Sequence, residues 1–474
     1  MTGPSVTLQQ EEAEVQARSE HLRKDLGVAD LTFTQILFIV GLPWVGVAAK
    51  QGPAHVVFWV AAITCFYLPS AAVVVHLNRT MPLEGGLYQW AKLGFNDLTG
   101  FLVAWNLWLF GILNTSEIGL QVTQYFRYIL SAAGNAIVSS NWMVAAANVV
   151  ILSALAGLTV RGLSVGKWLH TTGGVLMIAT FAMLVALPWL NVAHGTIPAF
   201  HPLATAMPAM SIMSLNLFGK MGFGALGGFE YVAIHAGECR NPTRAIARSV
   251  MFAAPVIALM FILGTSSVLA LVPFDQIDLI APIPQVLSAG FAALGPISGI
   301  ATAPILVMLA IRVAQASVLF AGNTRLPMVA GWDGLLPAWF TRLHPRYQTP
   351  VNSIVFVGIV TLAFALIGSI GVGKQEAFQL LWNASGIFYA LTYLVMFAIP
   401  LVGRPAVRGS ARLRVLALSG FLMTLLFVVL AVMPIVDVVS QLQFALKISS
   451  VIVLTNIAGW ALFRRAVARA QVRS

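Results

Sequence analysis

The apolar residues of this chain come in uninterrupted blocks of about 20, the length that crosses a hydrocarbon core as a helix. Lipid offers no water to backbone N–H and C=O groups, so each block must satisfy its own backbone, and a helix does so within the segment. Hydropathy read with turn signals places twelve spans, at 31–50, 55–77, 99–126, 142–159, 167–189, 211–236, 249–273, 294–322, 352–371, 378–400, 414–434 and 444–463. Only 9% of the residues are charged, against about a quarter in a soluble chain. That excludes a soluble multidomain enzyme. Links such as "HLNRTMPLEGGLYQWAKLGFND" leave no room for a soluble domain. The opening residues 1–27 are polar and charged, which reads as a solvated tail and not a cleavable signal peptide. The expected fold is an all-α integral membrane protein of 12 transmembrane helices.

The basic residues orient these spans. With the N-terminus inside, 21 lysines and arginines fall in cytoplasmic loops and tails, Arg161, Arg240, Arg346 and Arg408 among them. The outside receives Lys50, Arg127, Lys374 and Lys447. This positive-inside bias predicts cytoplasmic N- and C-termini in a cell (plasma or inner) membrane. It also accounts for the net charge of +11 without nucleic acid, since no aromatic-interleaved basic patch is present. Cys65 and Cys239 read as free thiols, one in an apolar span and one in a basic loop. No metal-ligand spacing occurs, so neither a metal nor a cofactor is expected.

Two spans carry helix-breaking residues at their centre. Span one contains "FIVGLPWVG", with Gly41, Pro43 and Gly46, and span six contains "GKMGFGALGGFE" from Gly219 to Glu230. Glycine costs a helix about 1 kcal/mol relative to alanine, and a carboxylate at mid-membrane about 3 kcal/mol. Unwound backbone at that depth is tolerated where protein or a water-filled cavity satisfies it. Spans one and six stand five apart, as two five-helix repeats would place them. Interrupted helices at matching positions in two halves point to a transport site. The plainer alternative is that the glycines only let helices pack closely.

Three motifs then resemble a known family. "MPLEGGLYQWAKLGF" is similar to the signature after the second helix of amino-acid permeases of the amino acid–polyamine–organocation (APC) superfamily. "GGFEYVAIHAGECRNPTRAIARS" resembles the sixth-helix signature, and "NTRLPMVAGWDGLLPAWFTRLHPRYQTP" the eighth-helix exit. The resemblance covers nearly all of the chain beyond the first 30 residues. It implies a LeuT-like fold: a 5+5 inverted repeat followed by two further helices, with helices 1 and 6 discontinuous. The implied division is a tail (1–30), a ten-helix transport core (31–400), helices 11 and 12 (401–465) and a C-terminal tail (466–474). Many relatives carry a serine and glycines in the first break. Here Ile39, Val40, Gly41, Leu42 and Pro43 stand there, so a substrate carboxylate would rest on backbone alone. Some proton-coupled members place a lysine in the fifth helix, where this chain has Met177.

Few ionisable groups lie within the spans: Glu117, Lys220, Glu230, His235 and Arg312. Such groups normally face the interior and find partners. Glu230 follows the Gly227–Gly228 break and matches the family's sixth-helix glutamate, which makes it the candidate proton-coupling group, with Arg312 as the cation that would hold it ionised if close. A permanently paired structural carboxylate is the alternative. Glu117 and Arg312 could neutralise one another between helices three and eight, or one of them could meet the substrate. Lys220 is expected to snorkel toward the outer vestibule. His235 reads as a loop-edge histidine, and His194 and His201 as solvated. The substrate-binding expectation comprises Val40, Gly41, Leu42 and Pro43 in the first break and Gly222, Gly224 and Gly227 in the second, with Asn114, Thr115 and Glu117 of helix three and Asn383 of helix ten. Ser385 and Tyr389 lie nearby on helix ten. Ser317 is the one helix-eight hydroxyl placed for a sodium site. Gly224 stands where some relatives carry a bulky aromatic gate, so a larger substrate is expected to fit.

The chain has no P-loop to couple it to ATP and no polar catalytic constellation for a membrane enzyme. A channel would favour a continuous polar pore over two broken helices. The expectation is therefore a non-enzymatic secondary transporter of amino acids, working by alternating access and proton-coupled, with sodium as the second option. Transport of a polyamine or other organic cation, or amino acid exchange on the same fold, stands as the alternative.

Overall fold

A computed structural model describes residues 26–82, 86–161, 167–239, 241–332, 336–347, 349–368, 370 and 372–473. Residues 1–25 of the tail, 83–85 of the first motif, Arg240, 333–335 of the third motif and the His235 side chain lie outside the described set. Every regular element among the described residues is helical. We number them α1 (Val28–Ile39), α2 (Trp44–Ala49), α3 (Gly52–Thr80), α4 (Leu87–Gly94), α5 (Asp97–Leu130), α6 (Ala132–Ser139), α7 (Asn141–Val160), α8 (Lys167–Ala193), α9 (212–226), α10 (Pro242–Leu271), α11 (Pro282–Ala292), α12 (Thr302–Trp332), α13 (Val351–Ile367), α14 (Lys374–Val402), α15 (Ala411–Leu430) and α16 (Gln441–Arg473). Nine segments among the described residues, within α3, α5, α7, α8, α10, α12, α14, α15 and α16, are long and apolar enough to cross a membrane. Helix α13 is apolar but shorter.

The first break behaves as its residues dictate. Pro43 cannot donate an N–H and Gly41 lacks a Cβ, so the helix ends at Ile39 and restarts at Trp44. The Val40 amide caps α1 by donating to the Ile36 carbonyl (3.1 Å), and the Gly41 amide turns back to Ile39 (2.7 Å). The Leu37 carbonyl, which an uninterrupted helix would have used, instead accepts from the Gln315 side chain of α12.

The second break is narrower than the Gly222–Gly228 stretch expected from the glycines. Lys220–Gly224 form a π-helical turn and the coil runs over residues 227–228, ahead of a 3₁₀ segment at Phe229–Glu238. The reason lies in packing. A Cβ on Gly222 would come within 2.2 Å of the Met423 methyl group of α15, and one on Gly219 within 3.2 Å of the Phe427 backbone. These two glycines let α9 lie close against α15 and remain helical. Gly228 is the true breaker: its φ is +137°, and a Cβ there would sit 2.7 Å from Ile39. The two breaks therefore touch.

Around them, α14 packs on α5 and α15, while α1 packs on α8 and α10. Short helices α4, α6 and α11 lie in stretches the hydropathy reading treats as links. They are too short to register in a window sized for a membrane span.

Candidate functional site

A cavity of about 120 Å³ lies where the two breaks meet, walled also by α5, α12 and α14. Gly41, Leu42 and Pro43 of the first break line it, with Gly224 and Gly227 of the second, Asn114 of α5 and Arg312 of α12. Val40, Thr115, Glu117, Gly222, Glu230, Ser317 and Asn383 are outside the lining. Thr115 donates to the Gly111 carbonyl of its own helix (2.8 Å). Asn383 joins Lys220 to the Ala431 carbonyl. Ser317 is buried on α12.

Seven of the residues that line the cavity are aromatic, and of these the sequence reading anticipated only Tyr389. Phe38 of α1 stacks on Tyr231 of the 3₁₀ segment, with ring centroids 3.9 Å apart and planes 9° from parallel. Trp44 of α2 meets Trp382 of α14 at 5.2 Å. All four rings line the cavity. One pair includes a ring from just before the first break and the other a ring from just after it. The signal was available: aromatics stand immediately on each side of "IVGLP" and just past Gly228.

Trp44 also corrects the expectation raised by Gly224. A Cβ on Gly224 would fall 2.4 Å from the far edge of the Trp44 indole, and one on Gly41 would fall 2.6 Å from its near edge. The indole occupies the room that Gly224 leaves, so the missing side chain does not enlarge the site. Bulk is supplied from helix one instead of helix six.

Glu230 is buried one layer behind the wall. The hydroxyls of Tyr389 and Tyr393 each donate to one of its carboxylate oxygens. Tyr393 also accepts the Gly228 amide hydrogen (2.6 Å), which the break leaves without a helical partner. Tyr389 lines the cavity and stacks on Phe110 at 4.3 Å. A single side chain thus separates Glu230 from the cavity, and its hydroxyl is in contact with the carboxylate.

Arg312 lies far from that arrangement in bonding terms. Its Nη2 donates to Glu117 Oε1 (2.8 Å) and to the Asn114 carbonyl (3.4 Å), and its Nε to Gln121. Gln121 in turn donates to both Glu117 oxygens (3.1 and 3.2 Å). Glu117 sits at a kink in α5 and is fully buried. The expected Glu117–Arg312 neutralisation is therefore present.

The snorkelling expected of Lys220 is not. Its side chain is 1% exposed. Its Nζ donates to Asn383 Oδ1 (2.8 Å) and lies 5.7 Å from the Phe427 ring centroid. The close α9–α15 contact that Gly219 and Gly222 permit turns this face of α9 inward. His194 is exposed, as expected, and bonds its own helix through the Leu190 carbonyl. Among the described residues no cluster of His, Cys, Asp or Glu could hold a metal ion.

Apolar helices around an internal cavity at two helix breaks describe a multi-pass membrane protein with an internal site. A family model described as "Amino acid permease" matches residues 26–462, and the chain belongs to that family. It is 25% identical to the branched-chain amino acid permease BcaP of Bacillus subtilis over 76% of this chain and 80% of the relative. It is 23% identical to the methylthioribose transporter of the same organism over 76% and 77%. It is 20% identical to a probable agmatine/putrescine antiporter, AguD, of Lactococcus lactis over 77% of each.

Proposed function

We propose that this chain is a secondary transporter that moves amino acids across the cell membrane by alternating access, with proton movement through Glu230. The observation that carries the reading is the cavity between two touching helix breaks. Backbone freed by a break can bind a zwitterion's ends, and two half-helices can rock about such a point. Counting α1 with α2, α9 with its 3₁₀ segment, and α13 as spans brings the total to twelve. On this reading residues 31–400 form the ten-helix core with its 5+5 repeat, and both termini are cytoplasmic. The Phe38–Tyr231 pair then closes the cytoplasmic side of the site, and Trp44–Trp382 the outer side.

Coupling follows from the neighbours of Glu230. Its carboxylate is held by hydroxyls, while the salt bridge of Arg312 goes to Glu117. Glu230 can therefore change charge without stranding a guanidinium. Its Tyr389 contact ties that change to the cavity wall. A sodium site at Ser317 is less favoured, because beside it the Gln315 amide nitrogen already fills the Leu37 carbonyl. The test is Glu230→Gln in proteoliposomes. The variant is expected to lose accumulation driven by a pH gradient while retaining substrate counterflow. Unchanged pH-driven accumulation would remove Glu230 from the coupling role.

A further inference from the structure

The mostly apolar cavity wall, with Thr34 and Gln315 as its other polar members, has one polar corner that carries a charge. Arg312 and Asn114 form it, with Ser385 across from them on α14. The rear of the guanidinium is pinned: Nε holds Gln121, and Nη2 holds Glu117 and the Asn114 carbonyl. Its Nη1 group has no hydrogen-bond partner among the described residues and is not one of the fully buried unpaired polar atoms, so it has open space in front of it. The Asn114 side-chain amide, half-buried on the same wall, likewise has no partner there. Ser385 Oγ spends its proton on the Phe110 carbonyl (3.2 Å).

We propose that Nη1 of Arg312 and the Asn114 amide form a recognition corner for an uncharged, acceptor-bearing substrate end, a carboxamide or a hydroxyl, and that the same corner rejects cationic substrates. This deepens the amino acid transport reading and rests on it. A guanidinium offers donors only, so its complement must carry acceptor oxygen. Glu117 cancels the charge of Arg312, which leaves the corner with donor character and no net charge. A carboxylate end would bring an uncompensated negative charge into an aromatic cavity. A cationic end would point its N–H donors at the Nη1 donors and find only neutral amide oxygens, Asn114 Oδ1 and that of Gln315, in place of a counter-charge. The Glu117 oxygens that could receive it are both taken, by Gln121 and Arg312, and Glu117 lies outside the lining. The Asn114 backbone carbonyl is also engaged. Asn114 and Arg312 stand far apart in sequence, on α5 and α12, so the corner exists only in the folded protein.

The experiment measures binding to the purified full-length protein, as ligand-induced stabilisation titrated to an apparent Kd. The probes are glutamine, serine, leucine, glutamate, lysine and putrescine. Wild type is expected to bind glutamine or serine at least about tenfold more tightly than glutamate, lysine or putrescine, the scale set by unpaired buried polar groups. Lysine, putrescine or glutamate binding as tightly would overturn the proposal. Replacing the pair together, Glu117→Met with Arg312→Met, avoids a stranded charge. That double variant should lower the glutamine-to-leucine affinity ratio about tenfold. Asn114→Leu, a single change at the cavity wall, should lower it in the same direction and decides the matter where the double variant does not fold. A ratio unmoved in the folded variants overturns the proposal. Failure of wild type to bind any amino acid is a different result, because it removes the transport reading itself.

Discussion

The buried charges of this protein are held in two contrasting ways. At the junction of α5 and α12, Glu117 and Arg312 meet as full opposite charges at 2.8 Å, with Gln121 closing the ring. Around the second break, Glu230 is held by two tyrosine hydroxyls, and Lys220 by an amide oxygen and an aromatic face. In the first case each charge needs the other, since a lone ion in such a place is costly. In the second the partners are neutral and remain competent whichever charge state the ion takes. On the proposed coupling through Glu230, the first kind stays fixed and the second changes charge.

The contrast can be broken most directly at the paired site. Arg312→Met alone would leave Glu117 without its counter-charge, and a loss of about 3–5 kcal/mol in unfolding stability is expected. Glu117→Met in the same background should recover a large part of it. A double variant no more stable than the single would show that the charges are not coupled. At the neutral site the largest effect should come from backbone. Gly228→Ala forces a side chain into a left-handed φ and against Ile39, at a cost of about 1–3 kcal/mol, and should abolish counterflow by pushing the two breaks apart. Retained counterflow would mean that their contact is not needed for transport.

A smaller effect is expected from Tyr393→Phe. It strips one donor from Glu230 and the acceptor from the Gly228 amide, which should cost about 1–2 kcal/mol. Glu230→Gln in the same background should then add little further loss, because a neutral amide needs that hydroxyl less. Strong additivity would instead point to independent roles. Smallest of all should be Lys220→Met. The two side chains are similar in length, and the ion here has no counter-charge among the described residues to lose. A change within about 1.5 kcal/mol of wild type in either direction is expected. A loss as large as that for Arg312→Met would place Lys220 in the charge-paired class and dissolve the contrast.

The sequence by itself determined the elements whose causes are local. Membrane-length apolar blocks make helices because lipid leaves the backbone no other partner, and this is legible one block at a time. Gly41 with Pro43 and the Gly227–Gly228 pair break their helices through their own chemistry, so the existence of both breaks was legible in the residues, while the helical course through Gly222 was set by packing on α15. Gly41, Pro43, Gly224 and Gly227 of the cavity wall follow from their positions in or beside those breaks, whereas Asn114 and Arg312 reach the wall from α5 and α12. What tertiary structure decided is where side chains from distant segments meet. Lys220 points inward because two glycines on its helix admit α15, and no reading of α9 alone contains α15. Trp44 fills the space beside Gly224 because the two breaks touch, so the room left by a small residue on one helix was taken by a ring from another. Arg312 spends Nε and Nη2 on Gln121, Glu117 and the Asn114 carbonyl while also lining the cavity, a division set by the crossing of α5 and α12. Helix type and breakage depend on neighbours along the chain; the size, polarity and charge of the cavity depend on neighbours in space.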